Sequence, residues 1–216
     1  MKQTHGWWWP DHEEHMIKWM DSPKNKVKLN GRWAYQGRKQ IATLNTCVKR
    51  RRVIDVGGHV GLWAFNFAHS FDHVEAFEPV AAHRECFERN LEGRGNVNLH
   101  AVALGAKEGS VSMWSEHGSS GNTQVRGDGD IPMRTLDSFG FTDVDLIKID
   151  TEGFEENVLM GASVTIAKWH PVVIVEQKRD MATRFGCKPM GAVALLQDLG
   201  YAVAKEISGD FICTPT

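Results

Sequence analysis

The stretch Arg52-Val-Ile-Asp-Val-Gly-Gly-His-Val-Gly61 reads as a buried strand running straight into a glycine-rich turn. Val53, Ile54 and Val56 give the short apolar run of a strand covered on both faces, and Gly57, Gly58 and Gly61 follow at once. Residues 62–70 then read as a helix. Strand, glycine-rich turn and helix bring backbone close to a nucleotide-like ligand in α/β proteins, because glycine has no Cβ to hold the ligand off. Asp55, two residues before the first glycine, is the feature that separates ligand classes.

Outward from this unit the chain alternates strand and helix. Strands are expected at 73–78, 97–104, 144–150 and 171–175, with helices at 81–91, 153–168 and 190–199. The segment SVSMWS at 110–115 reads as an extra edge strand, and 201–207 with 211–213 as a closing hairpin. Such alternation implies an α/β fold with a mostly parallel sheet, helices on both faces and right-handed crossovers. Residues 116–130 are rich in Gly, Ser and Asn and read as a mobile loop.

Upstream, residues 1–50 form a separate N-terminal helix and hairpin cap, and 51–216 the ligand-binding domain. Asp11 and Glu14 have the spacing of a capping box for a helix running to about Met20. Asn30-Gly31 between two short apolar runs is the signal of a type I′ hairpin, and 39–49 reads as a helix. Trp7-Trp8-Trp9 cannot all face one side of a regular element, so they either offer an aromatic face to a ligand or plug the cap onto the core.

Of the 216 residues, 42% are hydrophobic and 24% charged, which is globular composition, and no apolar run approaches a membrane span. The N-terminus lacks the apolar core of a signal peptide, and Cys47, Cys86, Cys187 and Cys213 are scattered. A cytoplasmic protein with reduced thiols, and no structural zinc or disulfide framework, is the expectation. Net charge is −2, yet through Arg52 twelve Lys and Arg face four Asp and Glu. That basic layer is either solvated or meets an anionic partner, a phosphorylated molecule or a nucleic acid.

In a parallel sheet, ligands sit at the carboxyl ends of the strands. Those ends carry Asp55 to Gly58, Glu78-Pro79, Val102-Ala103-Leu104, Asp150-Thr151-Glu152 and Glu176. Glu78 lies at the end of the second strand, at the spacing where an acid accepts ribose hydroxyls. Adjacent Gly57 and Gly58 break the G-x-G-x-x-G dinucleotide spacing, and Asp55 would sit badly beside a pyrophosphate. S-adenosylmethionine carries an ammonium group and a ribose but no phosphate, so the acids favour it, with Asp55 on the ammonium directly or through water.

The segments VIDVGGHVG (53–61), EAFEP (75–79), AVALGAKEGSVSM (101–113) and RTLDSFGFTDVDLIKIDTEGFEENVLMGA (134–162) resemble the FkbM family of S-adenosylmethionine-dependent methyltransferases. The resemblance covers about 53–178, and its most specific part is Ile147 to Glu155 followed by Leu159-Met-Gly-Ala162. It implies a class I methyltransferase, Rossmann-like fold with a seven-stranded sheet, acting on a hydroxyl oxygen of a sugar or natural product. Carried over, Asp55, Gly57, Gly61 and Glu78 bind the cofactor and Asp150 lies beside the transferring methyl group. The family's more usual small residue and Asn in the turn are Gly58 and His59 here. The full expected set of cofactor contacts is Asp55, Gly57, Gly58, His59, Gly61, Glu78, Pro79, Val102, Ala103 and Asp150.

Methyl transfer to an alcohol needs in-line alignment and a destination for the hydroxyl proton. Asp150 is the first candidate base, with Lys148 two residues earlier on the same strand face as its partner. Glu152 is either catalytic or a cap for the helix after Gly153, and Glu176 converges from the next strand. Asp150, Glu152 and Glu176 have the chemistry for a divalent cation, and His5, His12 and His15 are further candidate ligands, but the expectation is a site without metal. Arg179 and Arg184 are placed to grip an acceptor. The expected function is O-methylation of a small, sugar-like or phosphorylated molecule, with no membrane partner. A nucleic-acid methyltransferase and a cofactor-binding protein without catalysis are the alternatives.

Overall fold

Seven strands make the central sheet: β1 (Arg52–Val56), β2 (His73–Phe77), β3 (Val97–His100), β4 (Val144–Ile149), β5 (Val172–Glu176), β6 (Tyr201–Ile207) and β7 (Asp210–Pro215). Their spatial order is β6-β7-β5-β4-β1-β2-β3 in the computed structural model, which describes residues 1–115, 119–178 and 180–216. β3, β2, β1, β4 and β5 pair in parallel, and β7 runs antiparallel between β5 and β6. The direction in which successive strands are added therefore reverses between β1 and β4, so the carboxyl ends of those two parallel strands flank a crevice.

Strand alternation builds two cores. Ile54, Val56, Val173 and Val175 face Val158, Leu159, Ile166 and Leu196 of the helices Glu155–Met160, Ser163–Trp169 and Gly191–Asp198. Val53, Val74 and Ile174 face the other way, against Trp63, Phe67, Phe87 and Leu91. A third cluster joins the N-terminal segment to this body: Trp7, Trp9, Met16 and Met20 pack on Val60, Leu62, Phe65 and Cys86. The tryptophans form a strand, Trp7–Trp9, paired with Lys2–Thr4. Trp7 and Trp9 are fully buried on one face, while the Trp8 N–H donates to the Asn90 side chain at 2.7 Å. They are a plug, not a ligand platform.

Several elements depart from the sequence expectations. The N-terminal helix is His15–Asp21, and Glu13 rather than Asp11 caps it, accepting from the Met16 N–H at 2.6 Å. Asp11 is instead held by the terminal amine at 2.9 Å. The helix expected over 62–70 shrinks to Ala64–Phe67. The helix expected over 153–168 is two helices broken at Gly161. A Cβ there would lie 2.1 Å from the Gly105 carbonyl, and Asp137 caps the second helix by accepting from Val164 and Thr165 N–H. The chain leaves the central sheet after His100, so 110–115 does not extend its edge. Gly109–Val111 joins Ala103–Leu104 and Ile131–Arg134 in a small sheet, and Met113–Trp114 pairs with Gln124–Val125. Asn30-Gly31 does turn the hairpin Lys28–Leu29/Arg32–Trp33, both residues at positive φ. No helix among the described residues is long and apolar enough to cross a membrane.

Truncating Trp7 would leave a large cavity between the N-terminal strand and Phe65. Trp7→Ala is expected to cost about 3–5 kcal/mol, read as a lowered midpoint in urea unfolding with an unchanged slope.

Candidate active site

The glycine-rich turn is held from below by a lysine. Lys148 stands opposite Asp55 in the β1–β4 register, and its ammonium lies 3.1 Å from the Asp55 carboxylate. The same ammonium donates to the Val56 carbonyl at 3.1 Å and the Gly57 carbonyl at 2.8 Å. Two of its hydrogens thus go to carbonyl oxygens, and Asp55 is held beside it as an ion pair. Burial alone would favour the neutral amine, but Asp55 and Asp150 outweigh it and hold the Lys148 pKa above its ordinary value. Above this pair, Gly57 adopts φ +76°, and both Gly57 and Gly58 N–H donate to the Phe77 carbonyl at 3.0 Å. A Cβ on Gly57 would lie 2.0 Å from the Asp150 main-chain oxygen.

Glu78 is reached from β2. Its Oε2 accepts the His59 N–H at 2.8 Å and its Oε1 accepts the Val80 N–H at 2.8 Å, with His83 Nδ1 3.2 Å away. A carboxylate so anchored keeps lone pairs for hydroxyl donors. Beside it, Val102, Ala103, Leu104 and Met113 form an apolar wall of the same cavity.

Three acids converge at the far side. Carboxylate oxygens of Asp150, Glu152 and Glu176 lie within 4.8 Å of one another, and the Lys178 ammonium touches Glu176. Burial and the nearby Asp150 push Glu176 up to about 9 and Glu152 up to about 8. Tyr35, from the N-terminal segment, borders the cluster, and burial with Asp150 raises its phenol well above the ordinary range. Glu152 does not cap a helix. Glu155 closes that turn, accepting from Thr151 N–H at 3.0 Å and Gly153 N–H at 2.9 Å, which leaves Glu152, at φ +54°, on the cavity wall.

Of the residues expected from sequence, Gly57, Gly58, His59, Glu78, Pro79, Val102, Ala103, Lys148, Asp150, Glu152 and Glu176 line one cavity. Asp55 and Gly61 are not on its wall. Asp55 is fully buried behind Lys148, and Gly61 is a packing glycine whose Cβ would strike Leu91 at 2.2 Å. His12 precedes the first helix and so shares no helix face with His15, and His5 pairs with Asp21 at 2.9 Å. Arg184 donates to Gln124 at 2.6 Å, and Arg179 lies outside the described residues, as do 116–118 of the expected loop. The sequence reading missed Tyr35, Ser120 and Lys178. Lys178 had a signal, two residues beyond Glu176 on an extended segment. Tyr35 and Ser120 had none, because only the tertiary fold brings them over the turn.

This strand order, with a glycine turn after β1, an acid after β2 and an acid after β4, defines the α/β cofactor-binding domain of the class I methyltransferases. Residues 55–203 match the methyltransferase FkbM domain, and the chain belongs to that family. A relative named Methyltransferase 1, from Beauveria bassiana (strain ARSEF 2860), is 25% identical over 192 residues, covering 71% of this chain and 73% of that protein. The structure of methyltransferase FkbM from Methylobacillus flagellatus KT superposes with a TM-score of 0.52 at 15% identity. That match covers 76% of this chain but 42% of the other, so this chain spans less than half of that protein's length. SMU.1697c from Streptococcus mutans, in complex with SAH, gives a TM-score of 0.51 at 10% identity over 87% of this chain and 97% of its own. Family membership supports a methyltransferase function, and the two structures share the fold.

Removing Lys148 would strand the Asp55 charge in the core. Lys148→Met is expected to destabilise by about 3–5 kcal/mol, and adding Asp55→Asn should restore most of the loss in urea unfolding. The raised acids give a pH signature. With folded pKa values near 9 and 8 against 4.5 unfolded, the native state binds more protons between these limits, so stability falls as pH rises from about 5 to 9. Glu176→Gln should flatten that slope in thermal melts across the same range.

Proposed function

We propose that the protein transfers a methyl group from S-adenosylmethionine to a hydroxyl oxygen of a small, sugar-like or phosphorylated acceptor. The observation that carries this reading is the meeting of Glu78, the Gly57 turn and Asp150 around one cavity at the ends of three adjacent strands. The residues present suit the cofactor. Glu78 has capacity for both ribose hydroxyls, and the wall from Val102 to Leu104 with Met113 suits a purine face. When bound, the cofactor supplies an electrophilic methyl group on a sulfonium. Asp55, neutralised by Lys148, acts by shaping the turn rather than by meeting the ammonium.

Asp150 takes the hydroxyl proton and orients the acceptor oxygen. Burial and the neighbouring Asp150 favour the protonated forms of Glu152 and Glu176, which present hydrogens rather than charges beside it. Lys178 already brings a positive charge to this cluster, which supports chemistry without a divalent ion.

A groove leads away from the cluster, sharing Asn122, Val125, Glu152 and Lys178 with the cavity. Its wall carries Trp114, whose ring faces solvent with the Arg126 guanidinium 5.5 Å away, and Thr183, Arg184 and Phe185 stand opposite on the segment after Glu176. An aromatic face beside cations suits a sugar ring bearing an anionic group. Part of the basic excess through Arg52 is engaged in ion pairs within the protein rather than offered to an anionic partner. Arg51 pairs with Asp143 and Asp145, Arg52 with Glu75, and Lys39 with Asp210 at 2.8 Å.

Calorimetry should show binding of S-adenosylmethionine and none of NAD; the reverse pattern would sink the proposal. Glu78→Ala is expected to weaken cofactor binding by about tenfold or more. In a methyl-transfer screen over sugars, nucleotides and nucleic acids, Asp150→Asn should lower turnover by about 10²–10⁴-fold at unchanged cofactor affinity, and EDTA should leave the wild-type rate intact. Cofactor binding without product across that panel would favour a protein that has lost catalysis.

A further inference from the structure

Glu13 is a fully buried acid in the N-terminal segment, outside every motif of the cofactor fold. Its carboxylate is nevertheless engaged by residues of the cavity wall. Oε1 accepts the Met16 N–H at 2.6 Å, and Oε2 accepts the Ser120 N–H at 2.7 Å and the Ser120 hydroxyl at 2.6 Å. Met16 and Ser120 both line the cavity, one from the first helix and one from the turn Ser120–Asn122. One buried acid thus ties the first helix to a piece of the roof whose Ser120 lies 107 positions from Glu13 in the chain.

The chain of hydrogen bonds continues. Ser120 Oγ lies 2.7 Å from His59 Nε2. A hydroxyl has one hydrogen, and Ser120 gives it to Glu13, because a carboxylate only accepts. His59 therefore donates through Nε2, which fixes its tautomer and leaves Nδ1 as an acceptor without a hydrogen-bond partner. His59 sits in the left-handed region at φ +48°, and its own N–H donates to Glu78 at 2.8 Å. The orientation of the His59 ring and that of its main-chain N–H are set by the same residue, so fixing one constrains the other.

We infer that Glu13 is a positioning residue for the cofactor, acting through Ser120 and His59 to close the roof over the cavity and to hold Glu78 where an adenosine ribose is gripped. The inference rests on the S-adenosylmethionine reading above. It makes the N-terminal segment part of the cofactor site, where Glu13 does not itself touch the ligand. Replacing the acid by its amide keeps the shape but puts an NH2 group among three donors, so at least one roof contact is lost.

The test is titration of the full chain with SAH, the product form of the cofactor, by calorimetry. Glu13→Gln and Ser120→Ala should each weaken SAH by about tenfold, and the double variant should be no weaker than the worse single one, because both break the same chain. Trp9→Phe serves as the comparison, since it loosens the same segment without touching the chain: its melting temperature should fall while its SAH affinity stays within about twofold of wild type. Wild-type affinity in both Glu13→Gln and Ser120→Ala overturns the inference. So does a loss in Trp9→Phe as large as in Glu13→Gln, which would assign the effect to segment stability. If Glu13→Gln fails to fold, Ser120→Ala against Trp9→Phe decides alone. Failure of the wild-type protein itself to bind SAH would instead remove the cofactor reading, and this inference with it.

Discussion

The ion pair between Lys148 and Asp55 is the constraint on which the site depends. Two charges taken out of water gain little net stability over a well-packed apolar pair, so its value lies in geometry. The ammonium binds Asp55 and two carbonyls of the turn at once, and it can do so only if β1 and β4 keep their register. With that register set, the Asp150 N–H donates to the Val56 carbonyl at 3.2 Å, and Gly57 fits under the Asp150 oxygen. The glycine turn and Asp150 are thereby assembled on a single rigid ladder.

Around this ladder the charge arrangement is uneven by design of the fold. Asp150, Glu152 and Glu176 crowd one another in a poorly solvated corner, and Lys178 relieves only part of the repulsion. Raised acids and a raised phenol at Tyr35 are what such crowding produces, and perturbed groups of this kind cluster where chemistry is done. The N-terminal segment contributes Tyr35, Gln36 and Met16 to the same enclosure, while Lys39 reaches Asp210, which stands opposite Glu176 in the β5–β7 register. The segment is bonded into the site on two sides.

Local patterns in the chain carried most of the architecture. Short apolar runs alternating with helical segments marked the parallel strands, and the spacing from Asp55 to Glu78 marked two neighbouring strand ends, because both signals depend on a few consecutive residues. What stayed hidden depends on residues distant in sequence. The break at Gly161 is imposed by the Gly105 carbonyl, and the partner of Lys148 was read as Asp150 when the register places it on Asp55. The parity of Trp7 and Trp9 was implicit in their spacing, but their target, Phe65 and its neighbours, was not. Glu13 reads as one of several acids before a helix, and nothing in its vicinity announces Ser120.

The contact between Gly57 and the Asp150 oxygen also bears on how such a protein can change its acceptor over evolutionary time. Any side chain at 57 would strike the Asp150 main chain, and any drift of Asp150 would press on the glycine turn. On the proposed reading, new specificities therefore do not arise by relocating Asp150. They must come from the other side of the groove, where the hairpin of Met113–Trp114 and Gln124–Val125 is held by two residue pairs and stands apart from the central sheet. The molecule is in effect divided into a part that is frozen for all its substrates and a part that is free to diversify.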